Sequence, residues 1–67
     1  MTPPIVVHPP GDTGERRVTA HARELGLAHS EADVTEFLRR AGLTPEEIDL
    51  RDPNLIEWRG GGPETWG

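Results

Sequence analysis

The chain has 67 residues, which allows one small domain near the lower limit for independent folding. It contains no cysteine, which excludes disulfides and thiolate zinc sites, and its formal net charge is −5. The N-terminal stretch MTPPIVVHPP lacks a basic segment, and its apolar run is too short for a signal peptide or a membrane span. We therefore expect a cytoplasmic protein, which at this size could be stabilised as a homodimer.

A short β-branched run at residues 5–8 is enclosed by prolines on both sides. Proline cannot donate to a sheet ladder, whereas β-branched residues favour strands. We therefore predict a short edge strand at residues 5–8. The GDTG stretch that follows is predicted to be a loop from its glycine and aspartate content.

Residues 17–29 fit two patterns, and both stay open at the level of sequence. As a helix, the segment places on one face Val18, Ala22 and Leu25. As a hairpin, it has strands at 17–22 and 24–29, and it pairs Val18 with Leu27 and Ala20 with Leu25. The turn at Ala22-Arg23 is then unusual, because two-residue turns prefer glycine or asparagine. The apolar register favours the hairpin slightly.

A helix is predicted over residues 31–41. Ser30 is a suitable N-cap, and Asp33 follows it in the manner of a capping box. Apolar residues recur at helical spacing on one face, namely Val34, Phe37, Leu38 and Ala41. Two arginines in the last turn complement the helix dipole, and Gly42 is placed for the C-terminal cap.

The remaining chain predicts a short helical turn at 45–50, a strand at 55–58 and a flexible Gly/Pro-rich tail at 60–67. We therefore predict one small α+β domain over residues 1–59. Its antiparallel sheet has three to four short strands and is covered on one face by the helix and the turn. The predicted core comprises Ile5, Val7, Val18, Ala20, Leu25, Leu27, Val34, Phe37, Leu38, Ala41, Leu43, Ile48, Leu50, Ile56 and Trp58.

Residues 22–43 resemble a helix-turn-helix, which offers sequence-specific DNA binding as an alternative function. However, Glu31 and Glu36 make the leading part of the second helix acidic, and the middle of the chain carries the whole net negative charge. DNA binding depends largely on phosphate neutralisation by lysine and arginine. The acidic pattern therefore favours a chance resemblance to the motif over a true DNA-binding helix-turn-helix. In the DNA-binding alternative, Arg39 and Arg40 would make the contacts.

The sequence lacks the residue patterns on which common enzymes depend. Its single serine, Ser30, is used as a helix cap, and no cysteine can serve as a nucleophile. Glu46 and Glu47 are adjacent, so they cannot face each other across a cleft. Three histidines occur without metal-ligand spacing, namely His8, His21 and His29. We therefore expect no enzymatic activity, no cofactor and no metal.

Four stretches, PPIVVHPP, RRVT, EFLRRAGL and EWRGGG, together resemble a group of short proteins from GC-rich actinobacteria. The resemblance extends from residue 3 to about residue 62. It implies strand structure around Ala22, at a position where such proteins have glycine, and therefore a hairpin. It implies no activity.

We expect a small acidic protein-interaction or regulatory module whose partner is a protein, with a second copy of the chain as one candidate. Glu31 and Glu36 would steer it toward a basic partner and away from nucleic acid. Ile5 and Val7 on the predicted edge strand could dock by strand addition. Trp66 is either an anchor for the partner or a contact that folds back, and the anchor is favoured. No membrane association is expected.

Overall fold

The computed structural model describes residues 3–66, so the first two residues and Gly67 lie outside the described part of the predicted domain and tail. Its elements in chain order are β1 (Ile5–Pro10), β2 (Arg16–Ala20), β3 (Arg23–Ala28), α1 (Glu31–Arg40) and β4 (Ile56–Trp58). The strands form one four-stranded sheet in the order β3-β2-β1-β4. The prediction of a small α+β fold is confirmed.

The sheet is mixed, and not wholly antiparallel as predicted, because its last strand runs in the same direction as its first. β1 pairs antiparallel with β2 and parallel with β4. The chain passes through α1 and a long connection before β4, which is the kind of crossover that a parallel pair requires. The predicted edge position of residues 5–8 is therefore wrong. β1 is an interior strand, since β4 occupies the side that the flanking prolines were expected to leave free.

The hairpin alternative for residues 17–29 is confirmed, with a different turn and register. His21 and Ala22 form the turn and both have positive φ angles, of 52° and 67°, as in a type I′ turn. Ala20 is opposite Arg23, whereas Val18 is opposite Gly26. The register shifts between these two pairs, which leaves one extra residue in β3, a β-bulge.

The bulge changes which side chains of β3 reach the core. Gly26 lies opposite the buried Val18 and under α1, while Leu25 packs beside the core. Leu27 then faces away from α1 and is 52% exposed, so its predicted place in the core is wrong. Ala28 is fully buried in its place.

Helix α1 begins and ends where its capping residues predict. The Ser30 side chain accepts a hydrogen bond from the Asp33 backbone N–H, and the Asp33 carboxylate accepts one from the backbone N–H of His29. Val34 and Leu38 are fully buried against the sheet. Ala41, predicted as a core residue, caps the C-terminal end and is exposed.

The core lies between α1 and one face of the sheet. It consists of Ile5, Val7, Val18, Ala28, Val34, Leu38 and Ile56. The predicted helical turn at 45–50 is an isolated turn, closed by the bonds Glu47 N–Thr44 O and Ile48 N–Pro45 O. Its apolar residues, with Leu43, Leu55 and both tryptophans, pack around the core. Within residues 3–66, no helix is long and apolar enough to cross a membrane.

Candidate functional site

Arg16, the first residue of β2, has no solvent-exposed surface. Its Nε donates to the His8 carbonyl at 2.9 Å. Its Nη1 donates to the Gly62 and Thr65 carbonyls at 2.8 and 2.7 Å. Its Nη2 donates to the Arg59 and Gly61 carbonyls, both at 2.8 Å. All five N–H donors of the guanidinium are therefore satisfied by backbone oxygens.

Two tryptophan rings complete the surroundings of Arg16. The guanidinium carbon lies 5.2 Å from the centroid of the Trp58 ring and 5.5 Å from that of Trp66, both within cation–π range. The two rings meet edge to face, with centroids 6.2 Å apart and planes at 89°. This cluster has no local sequence signal, because an arginine at the start of a strand normally reaches solvent.

The charge of Arg16 is compensated by oxygen dipoles, with no carboxylate in direct contact among residues 3–66. Burial lowers the pKa of Arg16, and the negative charge of Glu64 partly opposes that effect. Arginine nevertheless keeps its proton at physiological pH. Because every donor is occupied, the Arg16 guanidinium in this arrangement organises the chain and has no donor left for a substrate.

Trp66 folds back onto the domain in this structure. Its ring packs against the core beside Trp58, and its indole Nε1 donates to the Pro63 carbonyl at 2.7 Å. Of the two alternatives considered for Trp66, the foldback contact is therefore the one observed. Trp66 is half-buried and packs against the core cluster without belonging to it, so the tail contacts the domain. The missed signal was Arg16, whose donors hold the backbone just before Trp66.

Ile5 and Val7 do not form a docking edge. Their exposed fractions are 2% and 0%, and their strand is hydrogen-bonded on both sides. The sheet edges are formed by β3, which contains a bulge, and β4, which has three residues. Bulged and short edge strands are poor templates for strand addition. That mode of docking therefore loses its structural basis.

The acidic face of α1 is partly neutralised within the helix. Glu36 accepts hydrogen bonds from Arg39 at 3.0 Å and from Arg40 at 3.1 Å. Glu31 is exposed in the first turn. In the following loop, the Thr44 backbone N–H and hydroxyl both donate to Glu47, and these hydrogen bonds lower the pKa of Glu47. Several predicted surface acids thus cap turns and neutralise nearby arginines.

The helix-turn-helix arrangement considered for residues 22–43 is wrong. The segment contains strand β3 followed by the single helix α1, so the first helix of that motif is replaced by a strand. The two arginines proposed for DNA contacts, Arg39 and Arg40, are both paired with Glu36. The apolar residues that resembled the end of a helix belong to the bulged strand.

His8 lies on the sheet face opposite α1, where its Nε2 is 3.1 Å from the Thr19 hydroxyl. Burial lowers the pKa of His8, and the positive charges of Arg17 and Arg59 lower it further, against the opposing charge of Glu57. Across residues 3–66, no three histidine or acidic side chains are grouped so that they could hold a metal ion.

A crevice lies at the end of the sheet formed by the β2–β3 turn, and we call it the hairpin-end crevice. Its volume is about 300 Å³, and its lining is mostly apolar: Pro4, Ile5, Ala20, His21, Ala41, Leu43 and Leu55. A second depression shares three of these residues, Ala20, His21 and Ala41, and adds Arg23 and Leu25. The exposed Ala41 and His21 stand at the surface of both.

Comparisons with protein-family models, curated proteins and solved structures found no match.

Proposed function

We propose that this protein is a non-enzymatic protein-interaction module that receives an apolar side chain of its partner in the hairpin-end crevice. The apolar lining of this crevice is the observation that carries the proposal. Ala20 and Ala41 are small, so they leave space that the protein's own side chains do not fill. An apolar hollow reached from the surface is a common form of anchor site at protein interfaces.

The size of the crevice favours one large side chain over an extended small molecule. About 300 Å³ is at the bottom of the range for ligand pockets, roughly 300–1,000 Å³. Few polar groups converge on it, since His21 is the single polar residue in its lining. Small-molecule sites usually add several placed polar groups for orientation. A protein side chain that arrives on a larger docked surface does not need them.

The charge at the rim of the crevice indicates which partner group lies next to the docked apolar side chain. Arg23 lines the adjoining depression and is exposed, and it makes no ion pair with any of residues 3–66. Salt screens interactions between charges that are more than about 8 Å apart. A partner docked at the crevice therefore interacts more strongly with the nearby Arg23 than with the distant charges that make up the net charge of −5. We therefore propose an apolar anchor flanked by a carboxylate.

Affinity capture from cells of the native host, read by quantitative mass spectrometry, tests the proposal. Ala41→Arg places a long charged side chain across the crevice, and Ala32→Arg adds the same group at an exposed position in the first turn of α1. We expect the partner to be retained by the wild type and Ala32→Arg and lost by Ala41→Arg. Equal capture by both arginine variants would contradict docking in the crevice.

A further variant, Arg23→Glu, tests the chemistry of the partner separately. It reverses the rim charge without changing the apolar lining. We expect it to weaken capture of the protein that Ala41→Arg loses, and added salt to reduce the difference between wild type and variant. Capture unchanged by Arg23→Glu would leave the crevice in place and reject the flanking carboxylate.

A further inference from the structure

We propose that residues 60–66, the C-terminal strap, open and close as a unit over the sheet, with Arg16 as the latch. The closed strap packs Trp66 against Trp58, and opening would expose this aromatic pair. The strap covers a different surface from the hairpin-end crevice.

The strap is hydrogen-bonded to the rest of the described protein through one side chain. Its carbonyls at Gly61, Gly62 and Thr65 all accept from Arg16. The sheet ladder ends just before it, where the Arg59 N–H donates to the Val7 carbonyl at 2.9 Å. A segment whose hydrogen bonds converge on one residue can be released without breaking any strand pairing.

The strap also carries its own internal bonds, so it can keep its local shape when released. The Thr65 N–H donates to the Gly62 carbonyl at 3.1 Å, and the Trp66 indole donates to Pro63. Gly60 and Gly61 precede these bonds with φ angles of +75° and +126°. Glycine adopts such angles readily and can leave them readily, so these two residues form the hinge.

Opening exchanges contacts for hydration. The guanidinium of Arg16 would give up the strap carbonyls and gain water, so each bond is replaced and none is left unmade. Trp58 would stay in place, since its indole Nε1 donates to the Leu50 carbonyl at 2.8 Å. Opening of this kind is a local unfolding event, whose free energy is lower than that of global unfolding. The partner anchor predicted for Trp66 would then be available in the open state.

Nuclear magnetic resonance on the full chain tests the strap through Trp66→Ala. The variant removes one ring over the guanidinium and leaves every strap carbonyl present. We expect the Arg16 Nη hydrogens to exchange with solvent at least about tenfold faster, while the backbone amides of β1 and β2 keep their protection. Trp66→Phe keeps an aromatic ring and should restore most of the protection. Unchanged Arg16 exchange would overturn the proposal.

Arg16→Lys tests the latch, with Arg17→Lys as its control on the exposed face of the same strand. Lysine retains the charge but has three donors and no planar fork, so it cannot satisfy the same carbonyls. In 5-fluorotryptophan-labelled protein, we expect Arg16→Lys to move the Trp66 fluorine signal to its solvent-exposed position, with the sheet folded. A closed strap in Arg16→Lys would overturn the proposal, and so would joint unfolding of strap and sheet in both Arg16→Lys and Trp66→Ala.

Discussion

Gly26 lies directly beneath the ring of Phe37, and a Cβ at Gly26 would approach the Phe37 Cζ atom to 2.9 Å. The φ angle of Gly26 is +153°, a value that side-chain-bearing residues rarely adopt. The bulge of β3 and the close approach of α1 therefore both depend on glycine at this position. We expect Gly26→Ala to lower the free energy of unfolding by about 1–3 kcal/mol, measured by urea denaturation.

Gly42→Ala is the matched control for Gly26→Ala. Gly42 also has a positive φ, of +108°, but a Cβ there would meet no atom within 4 Å. Alanine at Gly42 thus introduces backbone strain without overlap, at a cost of about 1 kcal/mol. Equal decreases in the free energy of unfolding of the two variants would show that overlap with Phe37 adds nothing to the cost of Gly26→Ala.

Leu38→Ala should destabilise the protein much more than Leu27→Ala. Leu38 has no exposed surface and packs between α1 and the sheet, so its loss leaves a cavity in a very small core. We expect a decrease of about 2–4 kcal/mol in the free energy of unfolding, enough to unfold much of the population. The same measurement on Leu27→Ala should give a change within about 0.5 kcal/mol, because Leu27 is mostly exposed. A near-neutral Leu38→Ala would mean that the buried face of α1 is misassigned.

Local signals explain why the helix and the hairpin could be predicted. The signals for α1 are the Ser30 cap, Asp33 and the apolar spacing, and they lie within a few residues of one another. The sequence alone is therefore enough to predict this helix. The register of the hairpin could not be predicted in the same way. The bulge at Leu25 depends on α1 packing over Gly26, which is a tertiary contact.

Long-range contacts account for the errors at the ends of the chain. The interior position of β1 depends on β4, about fifty residues later, whose parallel pairing has no local signature. The burial of Arg16 depends on carbonyls contributed by residues 59–65, and carbonyls carry no side-chain identity that a sequence could show. The foldback of Trp66 follows from that arginine and could not be predicted without it.

His8 should make the stability of the protein depend on pH. Its pKa is below the ordinary value of 6.5 in the folded state, chiefly through burial, so the unfolded chain binds more protons near that pH. The contribution of neutral His8 to the free energy of unfolding is fully present above pH 6.5, and it is lost as the pH falls from there toward the pKa of His8 in the folded protein. Urea denaturation between about pH 5 and pH 8 should show this decline.

His8→Gln provides the comparison for the pH series. Glutamine can still bond to the Thr19 hydroxyl but does not titrate, so the part of the decline that comes from His8 should disappear. Arg17→Gln removes one of the two arginine charges that lower the pKa of His8 and should reduce the decline without abolishing it, since burial is the larger cause. Superimposable pH curves for wild type and His8→Gln would reject the role of His8.

Ala22→Gly should stabilise the protein. Ala22 occupies the second central position of the β2–β3 turn with a φ of 67°, where an alanine Cβ crowds the backbone at a cost of about 1–2 kcal/mol. Glycine removes that strain but adds freedom to the unfolded chain, worth about 0.5–1 kcal/mol, so the net gain should be about 0.5–1 kcal/mol. Ala32→Gly in α1 has the entropic cost without the relief of strain, and should destabilise by up to about 1 kcal/mol. Opposite signs for the two substitutions in urea denaturation would establish the left-handed turn in solution, whereas a loss of stability in both would contradict it.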